Sequence, residues 1–209
     1  MSNSNTAQND IARKLASLSA SVVCDAGAGQ GVLAPGLIRF SGSGTVAGRV
    51  VTADCDEGSL RAIFAALDHA QPGDILCTTA PGSSAYLGDL LAADIVNRGL
   101  AAAVVDGMIR DRDQIASLPV SFFARGTTPV ARRGSAPGRS MVPITIGGVQ
   151  VNPGDWIVAD SDGIVAIPPE KIETVLEQAD ENARIEERIM ARIKAGAKVL
   201  DAVKQELGG

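Results

Sequence analysis

Residues 88–111 read GDLLAADIVNRGLAAAVVDGMIRD, and the architecture follows from this stretch. Its first part predicts a helix running through Arg98 and closed by Gly99, a residue free to take the left-handed backbone on which helices end. Residues 101–106, Ala-Ala-Ala-Val-Val-Asp, form an apolar run suited to a strand buried on both faces of a parallel sheet. Upstream the same alternation repeats. A strand over 46–53 leads to a helix over 57–70 with Leu60, Ile63, Phe64 and Leu67 on one face. A turn at Pro72-Gly-Asp74 and a strand over 75–79 come next, then a small-residue loop over 80–84. Such helix–strand alternation signals α/β units.

Further out the pattern changes. Asn9-Asp10 before Ile11, Leu15 and Leu18 predicts a capped amphipathic helix, and residues 21–48 read as turns around short strands. Gly42-Ser-Gly44-Thr-Val-Ala-Gly48 is a glycine-rich turn, because its third glycine falls one position late for a dinucleotide loop. Downstream, short strands are expected over 120–124, 142–146, 149–151, 156–159 and 164–167, separated by Gly-Gly, Pro-Gly-Asp and Ser-Asp-Gly turns. The last forty residues are charged and helical. As one rod they would span about 60 Å, against a radius of gyration of about 17 Å for a chain of this length. The helix therefore breaks near Gly196 or projects onto a neighbouring subunit. The expected fold is α/β: one layered α/β/β domain of the swivelling β/β/α type over 1–168, then a C-terminal helical arm over 169–209.

Composition excludes several functions. The 209 residues carry a net charge of −5, so no basic surface is offered to nucleic acid. Aromatics at 3% leave little for base stacking. No apolar run approaches a membrane span, and the polar opening Met-Ser-Asn-Ser-Asn-Thr does not resemble a secretory signal. Cys24, Cys55 and Cys77 are widely spaced, which suits reduced thiols in a cytoplasmic protein.

Scarce residues narrow the chemistry further. His69 is the one histidine, placed to favour a helix C-terminus, so a multi-histidine metal site within one chain is excluded. The five lysines are Lys14, Lys171, Lys194, Lys198 and Lys204, so residues 15–170 hold no Schiff-base nucleophile. Catalysis would then fall to carboxylates, arginines, backbone amides and a hard metal ion.

One constellation meets that description. Asp89 opens the helix of the deciding stretch, and Arg110-Asp111 follow its strand. The helix runs out and the strand runs back, so Asp89, Arg110 and Asp111 gather at one edge despite their separation in sequence. Two carboxylates and a guanidinium beside glycines suit a hard cation with a carboxylate substrate.

The signature Asp89-x20-Arg110-Asp111 resembles that of the class II pyruvate aldolases of the RraA-like family, which cleave 4-hydroxy-4-methyl-2-oxoglutarate and 4-carboxy-4-hydroxy-2-oxoadipate. The resemblance also takes in Ser21-Val-Val-Cys-Asp25-Ala, Ala70-Gln-Pro-Gly-Asp74, Phe123-Ala-Arg-Gly126-Thr-Thr-Pro129, Gly147-Gly-Val-x-Val-x-Pro153-Gly-Asp155 and Asp160-x-Asp162-Gly163. The loop Thr78-Thr-Ala-Pro81-Gly82 departs from the family by lacking its acidic residue and run of glycines. The resemblance implies that backbone amides of Gly88, Asp89, Leu90 and Leu91 hold the pyruvyl carboxylate and that Arg110 contacts the 2-oxo group. It implies that Asp111 ligates Mg²⁺ or Mn²⁺, with Asp89 reaching the ion through water and acting in proton transfer. It further implies oxaloacetate decarboxylation as a second activity and a homotrimer or hexamer. Glu186, interrupting the apolar stripe of the last helix, would reach an adjacent subunit's metal site.

Some RraA-like proteins are instead non-catalytic regulators that bind RNA-degradation machinery; the complete acidic set, Asp89 included, favours the enzyme. Arg132-Arg133 and Arg139 read as a solvated loop face, Asp160 and Asp162 as a hairpin turn, and Asp25 as a cap.

Overall fold

The apolar run becomes strand β4 (Ala102–Ile109), with parallel neighbours on both sides, β3 (Ile75–Leu87) and β5 (Ser121–Thr127). Strand β2 (Val46–Asp54) extends the parallel set beyond β3. Antiparallel strands complete the sheet: β1 (Ile38–Arg39) on β5, then β9 (Trp156–Ala159) and β10 (Ile164–Ile167) beyond β2. The order is β1-β5-β4-β3-β2-β9-β10, with β6 (Arg139–Ser140) also on β2. A separate hairpin joins β7 (Ile144–Ile146) to β8 (Val149–Val151). The structure, a computed structural model, describes residues 2–55, 58–134 and 136–208.

Side-chain alternation explains the layering. Ala103 and Val105 of β4 pack into one buried cluster, and Ala102 and Val104 into another on the opposite face. The first cluster holds the crossover helices α3 (Arg61–His69), α4 (Asp89–Asn97) and α5 (Arg112–Ala116) through Ile63, Leu67, Ile95 and Ile115. The second holds Ile144, Ile146, Val151, Ile157 and Ile164 from the later strands. The result is the expected α/β/β stack. A third cluster seats α1 (Ser2–Ala16), α2 (Ala20–Val23) and the start of α6 (Ile172–Lys194) on Trp156, Val158, Val165 and Ile167.

The C-terminal segment breaks at Gly196, the first of the two outcomes expected. Gly196 takes a φ of +98°, and α7 (Val199–Leu207) folds back so that Arg188 and Arg192 bond Glu206 at 2.7 and 2.6 Å. These guanidiniums hold the Glu206 carboxyl below its ordinary range. The first part of α6 packs on its own chain, burying Ile172, Val175 and Ala179.

Four local expectations are corrected. Helix α1 starts well before Asn9-Asp10, and Asp10 pairs with Arg13 within the helix instead of capping it. Helix α3 begins at Arg61, Glu57 lies outside the described residues, and Phe64 is half exposed while Ile63 and Leu67 are buried. Residues 80–84, read as a loop, are an irregular part of β3, whose pairing with β4 shifts between Ala80 and Ala85. Part of the segment 21–48 is helical turn, including Asp25. The hairpin at Asp160 holds as read: its carboxylate accepts from Asp162 N–H at 2.9 Å and also from Ala20 N–H at 2.8 Å, tying α2 to the sheet. Among the described residues no helix is long and apolar enough to cross a membrane.

Candidate active site

The site lies where β3 and β4 end. Their ladder runs to the pair Leu87 and Ile109, and Arg110 N–H donates to Leu87 O at 2.9 Å as the final rung. Gly88 and Asp89 leave one strand just as Arg110 and Asp111 leave the next. The carboxyl ends of parallel strands are where α/β folds place ligands.

These residues touch. Asp111 Oδ2 accepts the Asp89 N–H at 3.1 Å and lies 3.2 Å from Arg110 Nε. The Asp89 carboxylate accepts the Leu90 N–H at 2.8 Å. Two of the four helix-start amides assigned to the substrate carboxylate thus meet the protein's own carboxylates in this conformation, as oriented N–H groups favour. Apart from its contact with Asp111, the Arg110 guanidinium has no partner among the described residues, and its side chain is 39% exposed. It can receive an anion.

Backbone geometry marks Asp111. Its φ of 58° and ψ of 45° put it in the left-handed region, which costs most side chains free energy and which Asp tolerates better than most. Gly88 is needed for a different reason. Its backbone is extended, but a Cβ there would lie 2.5 Å from Asp111 Oδ2 and 2.9 Å from Arg110 Nε. Gly88→Ala should therefore leave the fold in place and displace both side chains, lowering kcat/KM about 100-fold. Steady-state kinetics beside a thermal melt would check this; full activity in the variant would mean that the two groups need not stay where they are.

A cleft of about 150 Å³ opens here, lined by Gly88, Asp89, Leu90, Leu91 and Arg110 and walled by Leu60, Phe64, Tyr86 and Arg132. Arg132 was expected on a solvated face and is instead half-buried in this wall. No sequence signal showed it, because residues 130–132 are placed by long-range pairing of Ala131 with Ala85. Arg133 is exposed, and Arg139 pairs with the buried Asp54. Glu186 is exposed on α6. A larger cavity of about 340 Å³, lined in part by Gly31, Asp155 and Lys171, contains none of the signature residues. Burial raises the Asp155 carboxyl above its ordinary value, and Asn152 N–H donates to it at 2.7 Å.

The donor set suits a hard divalent cation. No group of three or more His, Cys, Asp or Glu that could hold a metal occurs among the described residues. Mg²⁺ needs less from the protein: one or two carboxylates, with water and substrate oxygens completing the shell. Asp89 and Asp111 could supply such carboxylates, and the absent Cβ of Gly88 leaves room for the Asp111 and Arg110 side chains.

Residues 20–166 match the RraA-like family, described as Aldolase/RraA. A Halalkalibacterium halodurans protein named "Putative 4-hydroxy-4-methyl-2-oxoglutarate aldolase" is 38% identical over 156 residues, covering 70% of this chain and 74% of that one. The crystal structure of Streptomyces coelicolor RraAS2, titled an unusual member of the RNase ES inhibitor RraA protein family, superposes with a TM-score of 0.78 at 31% identity over 88% of this chain and 98% of that one. The RNA-processing inhibitor RraA from Thermus thermophilis gives 0.60 at 29% identity, over 66% of this chain and 84% of that one. A strand-end cluster built from the signature residues, a family match across most of the chain and these likenesses agree: the chain belongs to the RraA-like family.

Proposed function

We propose that this protein is a divalent-metal-dependent lyase that cleaves 4-hydroxy-2-oxo acids of the 4-hydroxy-4-methyl-2-oxoglutarate type to pyruvate and a second oxo acid, and that it also decarboxylates oxaloacetate. The observation carrying this reading is the contact of the Asp111 carboxylate with the Asp89 amide and the Arg110 guanidinium at the strand ends, beside a cleft lined by Asp89 and Arg110. Asp111 and Asp89 would hold Mg²⁺ or Mn²⁺, with Glu186 of an adjacent copy as a further ligand in a trimer or hexamer. When bound, the ion supplies Lewis-acid polarisation of the 2-oxo group.

The chain's own groups do the rest. Helix-start amides of residues 88–91 orient the substrate carboxylate. The C4 hydroxyl gives its proton through a bridging water to the Asp89 carboxylate, and the C3–C4 bond breaks. The bonding pair passes through C2 to the 2-oxo oxygen, where the permanent charge of Arg110 meets it. Proton return to C3 yields pyruvate. Decarboxylation of oxaloacetate develops the same charge on the same oxygen, so one arrangement serves both reactions.

The test is pyruvate release from 4-hydroxy-4-methyl-2-oxoglutarate and from oxaloacetate with Mg²⁺, repeated with EDTA. Turnover that EDTA abolishes is expected. Absence of turnover on both substrates would favour the second reading, a non-catalytic regulator of RNA degradation, which the likeness to the two RraA structures supports.

A further inference from the structure

Arg132 lines the same cleft as Arg110, and nothing in the signature accounts for it. Its position is fixed by several independent contacts. The Arg132 N–H donates to Ala85 O at 2.8 Å and the Ala85 N–H donates to Val130 O at 2.8 Å, stitching residues 130–132 to β3 two residues before the strand ends. Arg132 Nε donates to Gly58 O at 2.9 Å, and the guanidinium carbon lies 5.9 Å from the Tyr86 ring centroid. Gly58 makes room for this arrangement, since a Cβ there would overlap the guanidinium.

The side chain is thus half-buried and held in place. Among the described residues no carboxylate pairs with Arg132, and its terminal amino groups have no partner, whereas Arg98, Arg125, Arg188 and Arg192 all pair with acids. A guanidinium ordered in a cleft with donors unfilled is suited to a planar anion. At about 150 Å³ the cleft has room for a small acid and not for a polymer. We infer that Arg132 receives the carboxylate at the far end of the substrate and makes this cleft selective for 2-oxo diacids over monoacids. Arg110 and the helix-start amides take the pyruvyl end, so the two guanidiniums read the two ends of one molecule. This assignment rests on the lyase reading and adds to it a residue that sets specificity.

The experiment compares 4-hydroxy-4-methyl-2-oxoglutarate with 4-hydroxy-4-methyl-2-oxopentanoate, the same skeleton with methyl in place of the second carboxylate. Both are assayed with Mg²⁺ in the wild type, Arg132→Gln and Arg132→Lys. Deuterium exchange at the pyruvate methyl group, followed by NMR, reports the Arg110 end alone. The ratio of kcat/KM for diacid to monoacid should fall about 30-fold in Arg132→Gln, mainly through KM for the diacid, with partial recovery in Arg132→Lys. An unaltered ratio, or an equal loss in both substrates and in exchange, would overturn the assignment while leaving the lyase intact. A wild type that cleaves neither substrate and exchanges no methyl protons would overturn the lyase reading itself, and Arg132's role with it.

Discussion

Asp111→Asn should lower metal-dependent cleavage by about 1000-fold while leaving the protein folded. The figure corresponds to roughly 4 kcal/mol of lost transition-state stabilisation, the scale of a Lewis-acid contribution. Asparagine makes the cleaner test than alanine for a structural reason. At φ 58° and ψ 45° the backbone of residue 111 is left-handed, and Asn is among the few residues that adopt this conformation readily. Asn keeps the side-chain volume and can still accept the Asp89 N–H that Asp111 accepts at 3.1 Å. What it removes is the negative charge. The thermal midpoint should therefore move by only about 3 °C, so the loss would reside in chemistry. Turnover near the wild-type value at saturating Mg²⁺ would remove Asp111 from the proposed metal set.

Arg110→Lys should cost about 100-fold in kcat, although it conserves charge. An ammonium is a point charge on a flexible stem, whereas the guanidinium is a planar fork of five donors, one of which already lies 3.2 Å from Asp111 Oδ2. Lysine could not hold that contact and face the substrate oxygen together. The deficit should appear in kcat more than in KM, because on the proposed mechanism the charge that Arg110 would meet develops as the C–C bond breaks. Single-turnover and steady-state kinetics would separate the two. A lysine variant with ordinary kcat would make Arg110 a strut for Asp111 and no more.

Much of this site was legible in the sequence. The run at residues 101–106 was suited to a strand covered on both faces, and it forms β4 with parallel neighbours on both sides. The path out along α4 and back along β4 then required Asp89 to approach Arg110 and Asp111. Other features are invisible to local reading. Pro81, Gly82 and Ser83 carry turn chemistry, yet β3 continues through them because β4 fixes both flanks. Phe64 fits the apolar period of α3 and is half exposed at the cleft, since periodicity assigns a face without saying how much of it the sheet covers. Arg132 is brought to the cleft by an isolated bridge between Ala85 and Ala131, a pairing between distant segments that no window on the sequence contains.

The shift between Ala80 and Ala85 has a consequence for how this chain can vary in length. Beyond it the pairs Ala85 with Met108 and Leu87 with Ile109 set where Gly88 stands relative to Arg110, and a second irregularity between these pairs already takes up one residue. The exposed Pro81–Ser83 segment, upstream of those rungs, acts as an expansion joint. Insertions can be absorbed there as a wider bulge without moving the pair of Leu87 and Ile109 at which the two strands end.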